Sequence, residues 1–168
     1  RGLAVRRDVR FNEIARGLWV GLTREEVAQK YPEHVARVGS ISSFAGEPDF
    51  AAHGGESYRG LGERVYAGRN DLLAAHAGGT ACLVCHNWVV AALVGSIQGA
   101  APEEWHTLRI PTASVSLLEY EHEPDAAQGE KILQERTVFV GKSPAEYTGG
   151  RLKENPADAL FAGSSGKG

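Results

Sequence analysis

Thr80-Ala81-Cys82-Leu83-Val84-Cys85-His86-Asn87-Trp88-Val89-Val90-Ala91-Ala92-Leu93-Val94 is the stretch from which the rest of the chain can be read. Small and β-branched residues from Ala81 to Cys85 lead into two polar residues, His86 and Asn87, and then into a second apolar run that continues to Ile97. The pattern predicts a buried strand, a polar switch and a buried helix. In an α/β sheet, the carboxyl end of a strand that turns into a helix is a ligand position, because backbone N–H groups and the helix N-terminus point there. His86 stands at that point. A polar strand end with a satisfied hydrogen bond would explain an arbitrary histidine, and it is the strand-to-helix setting that makes His86 a candidate.

Composition narrows the class. With 168 residues, 42% hydrophobic and 23% charged, the chain has the make-up of one globular domain with a sizeable core. A formal net charge of −3 gives no basic field for nucleic acid or for an anionic membrane surface, so neither is an expected partner. The uninterrupted apolar run from Trp88 to Val94 is far short of the roughly 20 residues that cross a bilayer. The expected compartment is the cytoplasm, although Arg1-Gly2-Leu3-Ala4-Val5-Arg6-Arg7 need not be the native start, since the chain has no methionine.

Cys82, Cys85 and His86 spell Cys-x-x-Cys-His, the spacing of a c-type haem attachment, and the two cysteines alone have the spacing of a redox pair. Residues three apart on a strand point to opposite faces, so on this reading one haem or one disulfide would need distortion. The absence of methionine also removes a common sixth haem ligand. Both cysteines are therefore read as small buried hydrophobes, with the haem protein kept as an alternative and no cofactor expected.

Upstream, Leu3-Ala4-Val5 reads as a short strand, and Gly17-Leu18-Trp19-Val20-Gly21 as a glycine-bracketed loop with Trp19 packed inward. Thr23, with Glu26 three residues on, is a capping box opening a helix from Arg24 to about Lys30. Residues 39–55 form a long surface loop by composition. Tyr58, Leu61, Val65, Leu72 and His76 follow one helical face that ends at Gly78-Gly79, with Ser57 just before it. Pro102-Glu103-Glu104-Trp105-His106 predicts a helical turn. Residues 114–120 and 136–140 alternate as strands of a hairpin around an acidic turn, and residues 144–168 read as a poorly ordered tail.

Glu13, just after the first expected strand, lies between Phe11 and Ile14, a setting suited to proton transfer, although taken alone it reads better as an exposed turn charge. The succession Phe11-Asn12-Glu13-Ile14-Ala15-Arg16-Gly17-Leu18-Trp19-Val20-Gly21, then Gly55-Glu56-Ser57, Arg64, and Cys82-Leu83-Val84-Cys85-His86-Asn87 resembles the histidine phosphatase superfamily, the phosphoglycerate mutase-like proteins. The resemblance runs from about Leu3 to about Val140 and rests on order and spacing, since each motif alone is weak.

It implies an α/β fold, a three-layer α/β/α sandwich in which the strands led by Leu3 and Ala81 share a central sheet. It also implies a metal-free hydrolase of small-molecule phosphomonoesters that works through a phosphohistidine intermediate. By position, Glu13 would be the general acid and then the base, and His86 would hydrogen-bond the transferring phosphoryl group. The backbone N–H of Asn87 would add a neutral donor to the phosphate. Gly55, Glu56, Ser57 and Arg64 would cap a helix and brace the loop before it.

The departures bear on activity. The family's nucleophile is the histidine of an Arg-His-Gly motif, which these residues lack, and a second phosphate-binding arginine is missing as well. Val20 stands where the family usually has Glu, and Asn87 where it usually has Gly. The expectation is residues 1–143 as the C-terminal part of a family domain lacking its N-terminal strand and helices, from an incomplete sequence and inactive as it stands. A degenerate member that binds a phosphorylated ligand or a protein partner is the non-catalytic alternative. Phosphatase is preferred over mutase, and the oligomeric state is left open.

Overall fold

A computed structural model of the chain describes residues 2, 4–33, 54–125 and 129–148. The elements are α1 (Arg24–Lys30), α2 (Tyr58–Ala75), α3 (Asn87–Gln98), the strands β1 (Val115–Asp125) and β2 (Gly129–Lys142), and a short α4 (Pro144–Thr148). Single 3-10 turns lie at Val9–Phe11, Gly17–Trp19 and Pro102–Thr107.

Local chemistry sets the helix starts. The Glu26 N–H donates to the Thr23 hydroxyl at 3.2 Å and the Thr23 N–H donates to the Glu26 carboxylate at 2.8 Å, which completes the predicted capping box. Ser57 caps α2 by accepting from the Gly60 N–H at 3.0 Å. At its other end α3 stops at Gly99, whose φ of 70° lies in the left-handed region that glycine tolerates.

α2 and α3 supply the core. Tyr58, Leu61 and Val65 from α2 meet Val89, Ala91, Ala92 and Leu93 from α3, and Phe11 and Trp105 close the cluster. Two close approaches depend on glycine. A Cβ on Gly95 would lie 2.4 Å from the Trp105 ring, and one on Gly68 would lie 2.6 Å from the Phe11 ring. By docking Phe11, the second contact holds the segment leading to Glu13 against α2. Trp19 packs inward as predicted, with Val27 of α1 and Tyr31.

Among the described residues the sheet is a two-stranded antiparallel hairpin, so the expected central sheet built on Leu3 and Ala81 is not formed there. Leu3 lies outside the described residues, and residues 4–8 and 80–86 join no ladder. The stretch Ala81 to Cys85, expected as a buried strand, is covered on one side only. Leu83 and Cys85 pack on the core, while Cys82, Val84 and His86 are exposed, Val84 to 91%. Sequence period encodes which side chains face inward, but a strand also needs a neighbouring backbone to take its N–H and C=O groups, and no described segment does so here. Cys82 is accordingly exposed, not buried as expected.

The predicted hairpin is present and longer than its apolar alternation indicated. Glu121 and Glu123, assigned to a turn, belong to β1, where Glu123 pairs across with Lys131 at 3.1 Å. Opposite charges facing across the strands offset the low strand preference of the acidic run. Residues 144–148 form α4, with the Ser143 hydroxyl and N–H both bonded to Glu146, where a poorly ordered tail was expected. Most of the expected loop over residues 39–55 falls outside the described residues, as does the remainder of that tail. No helix of the described residues is long and apolar enough to cross a membrane.

Candidate active site

The structure brings Glu13 and the segment after His86 together at the N-terminus of α3. Oε1 of Glu13 accepts hydrogen bonds from the Ile14 N–H at 2.9 Å and from the Trp88 N–H at 3.3 Å, the second across 75 positions of sequence. A helix leaves its first N–H groups without internal partners and carries a partial positive charge there, so a carboxylate is stabilised at that end. The carboxyl group of Glu13 is half-buried, and its Oε2 makes no hydrogen bond among the described residues. One oxygen is thus anchored by two backbone donors.

His86 is the N-cap residue of α3, with φ −115° and ψ 169°. Its side chain does not cap the helix, and that role passes to Glu13. The imidazole is exposed. Asn87 turns its side chain away from the helix end, where Nδ2 donates to the Ile110 carbonyl at 2.9 Å. This ties α3 to the segment entering β1. The Asn87 N–H, the first of the helix, has no protein acceptor among the described residues.

Behind this end of α3, Tyr58 packs its ring 4.8 Å from that of Trp88 and is 3% exposed. Its hydroxyl is buried without a hydrogen-bond partner among the described residues, and desolvation pushes its pKa well up. Cys85 lies close enough for the Glu13 carboxylate to act on its thiol. Burial first, and that negative charge in addition, push the thiol up to about 11 despite a hydrogen bond from the His86 N–H. Such a thiol is protonated at neutral pH. No group of three or more His, Cys, Asp or Glu with metal-binding geometry occurs among the described residues.

The loop carrying Glu13 is held from α2. Arg64 makes a two-pronged ion pair with Glu56, Nε to Oε1 at 2.5 Å and Nη2 to Oε2 at 2.7 Å. The same guanidinium donates through Nη1 to the carbonyls of Arg10 at 2.6 Å and Asn12 at 2.9 Å. The cap expected of Ser57 is present, whereas Glu56 and Arg64 brace the segment that carries Glu13; most of the loop before α2, which they were expected to brace, lies outside the described residues. What sequence reasoning missed is the Trp88 N–H as the group that receives Glu13. A backbone donor has no side-chain signature, and only the unfilled cap at His86 marks it.

A hollow of about 370 Å³ lies elsewhere, on the hairpin, lined by Glu119, Tyr120, Glu121, Gln134, Glu135 and Arg136. Its glutamates make a poor surface for a phosphate ester, and none of Glu13, His86 and Asn87 borders it.

Solved structures resemble this arrangement. A structure described as mycobacterial hydrolase 2 superposes with a TM-score of 0.66 at 25% identity, covering 95% of this chain and 65% of that one. A mycobacterial glucosyl-3-phosphoglycerate phosphatase gives 0.64 at 26% identity, covering 84% and 67%. In sequence, the chain is 33% identical over 84 residues to a probable phosphoglycerate mutase of Klebsiella pneumoniae, covering 50% of this chain and 39% of the mutase. It is 28% identical over 122 residues to phosphoserine phosphatase 1 of Hydrogenobacter thermophilus, covering 72% and 55%. The chain thus spans about half the length, or less, of the curated relatives it matches. These likenesses include phosphatases with an α/β fold, and the family's own pattern matches residues 1–129, more than half of the chain. The chain belongs to the histidine phosphatase superfamily, branch 1.

Proposed function

We propose that the protein represented by this chain hydrolyses small phosphomonoesters through a phosphohistidine intermediate, with Glu13, His86 and the N-terminus of α3 forming part of the active site. The observation that carries the reading is the bond from the Trp88 N–H to Glu13 Oε1, which sets a carboxyl group at the N-terminus of the helix whose N-cap residue is the exposed His86. Phosphatases among the similar proteins support it, since the glucosyl-3-phosphoglycerate and phosphoserine phosphatases are named for small phosphorylated molecules.

The chemistry follows from the groups. A nucleophilic histidine attacks phosphorus, the P–O bond to the alcohol breaks, and Glu13 delivers the proton from Oε2 to the departing oxygen. His86 and the Asn87 N–H hold the equatorial oxygens of the transferring group, where hydrogen-bond donors supply most of the catalysis. Glu13, now a carboxylate, takes a proton from water as the water attacks phosphorus. The P–N bond breaks and inorganic phosphate leaves. No Arg-His-Gly occurs in the 168 residues, so the chain taken by itself is proposed to lack the nucleophile and to be inactive.

The test is phosphate release by the protein expressed from its intact reading frame, beside Glu13→Gln and His86→Ala. Glu13→Gln is expected to lower turnover by about 10²- to 10⁴-fold. His86→Ala is expected to lower it by about 10²- to 10³-fold. Turnover indifferent to both substitutions overturns the reading.

A further inference from the structure

We propose that Arg64, locked by Glu56, is a positioning residue that sets the Glu13 carboxylate on the N-terminus of α3. The guanidinium reaches the carbonyls of Arg10, Asn12 and Glu13 itself, the last at 3.4 Å, so one side chain of α2 gathers the turn that presents Glu13. Glu56 completes the hold from the other side. Its N–H donates to the Ala15 carbonyl at 2.8 Å, and its Oε2 accepts from the Ala15 N–H at 3.4 Å as well as from Arg64. Both side chains are about one-fifth exposed, at 22% and 19%, so the pair is shielded but not sealed.

The geometry explains why an arginine is needed. Three carbonyls and a carboxylate are satisfied by a planar fork of five N–H groups, which an ammonium cannot reproduce. Residues 12–16 have no helix or strand to define their path. The other described contacts on this segment, Phe11 against Gly68 and the two Glu56–Ala15 bonds, lie on either side of Glu13, and the fork is what bonds the Glu13 carbonyl itself. A proton donor displaced by even about 1 Å loses much of its effect. The role of Arg64 is therefore to keep the donor in register with the helix end.

Two measurements test this, and only the second rests on the proposed function. In the first, amide exchange is followed by NMR on the 168-residue chain and on Arg64→Lys and Glu56→Gln. Protection of the Ile14 and Trp88 amides should fall about tenfold in both variants while Ala92 and Leu93, inside α3, keep theirs. Unchanged protection at Ile14 and Trp88 overturns the proposal. Equal loss along all of α3 overturns it as well, by showing a general structural role. Should Arg64→Lys fail to fold, Glu56→Gln decides the matter, since it keeps the side-chain shape and removes the charge that locks the guanidinium over the carbonyls.

In the second, the complete protein is assayed on an alkyl phosphate and on nitrophenyl phosphate, whose leaving group departs without a proton. Arg64→Lys should reduce kcat on the alkyl ester about tenfold more than on the aryl ester, with KM little altered, as Glu13→Gln does. Equal losses on both esters overturn the positioning role. A Glu13→Gln variant that shows no difference between the two esters refutes the acid role of Glu13, while the exchange measurement still decides the clamp.

Discussion

Cys82 and Cys85 show how far three positions can separate two identical side chains. Cys82 is exposed, whereas Cys85 is half-buried, with burial and the Glu13 carboxylate holding its thiol protonated. Thiolate is the reactive form, so exposure favours Cys82 while burial and a raised pKa disfavour Cys85. At pH 8, iodoacetamide is expected to label Cys82 at least about ten times faster than Cys85, as peptide mass spectrometry would resolve. Comparable rates would contradict the placement of Cys85 against the core. Gly95 makes a different residue-scale case. A methyl group there would enter the Trp105 ring, and Trp105 is 2% exposed and bonded through Nε1 to the Ala100 carbonyl. The ring has little room to move. Gly95→Ala is expected to destabilise the fold by about 1–3 kcal/mol, read as a lower urea midpoint, even though alanine is the better helix former.

At the scale of elements, legibility follows the range of the contacts. The start of α1 is written in Thr23 and Glu26, and that of α2 in Ser57, because a cap bonds within three residues of itself. Ser57→Ala should lower stability by about 1 kcal/mol, whereas Ser57→Gly should cost only a few tenths of that, a contrast that thermal unfolding can resolve. Equal losses would show that the Ser57 hydroxyl does not act as the cap. Residues 80–86 illustrate the opposite case. Their small and β-branched run read as a buried strand, but only Leu83 and Cys85 turn inward, and pairing depends on a partner that no local pattern names. The hairpin falls between these cases. The apolar ends of β1 and β2 were legible, while the acidic centre, held by Glu123 opposite Lys131, reads locally as turn.

For the molecule as a whole, the candidate site was legible in its members and not in its joints. Glu13 and His86 stand out by residue type and by their places in the motif order. Glu13 meets the helix that follows His86 through the Trp88 N–H, 75 positions away, a backbone donor that no residue letter reveals. The same core that assembles the site also sets how the protein responds to alkali. Burial pushes the Cys85 thiol from an ordinary 9.0 up to about 11 and the Tyr120 phenol from 10.0 up to about 12, and Tyr58 moves in the same direction. In each case the unfolded chain releases its proton at lower pH than the folded one, so rising pH draws the equilibrium towards unfolding. The stabilisation is complete below the unfolded value and is lost as pH climbs through the folded value. For Cys85 the window is therefore pH 9 to 11. A rise of that size corresponds to at most about 3 kcal/mol, less what residual solvent contact removes. Urea midpoints should therefore fall through this window, and Cys85→Ala should flatten the early part of the fall, before the tyrosines contribute. If the slopes of the native chain and Cys85→Ala coincide between pH 9 and 10, the thiol is not desolvated by the fold, and the packing of residues 83–85 beneath the α3 N-terminus must be revised.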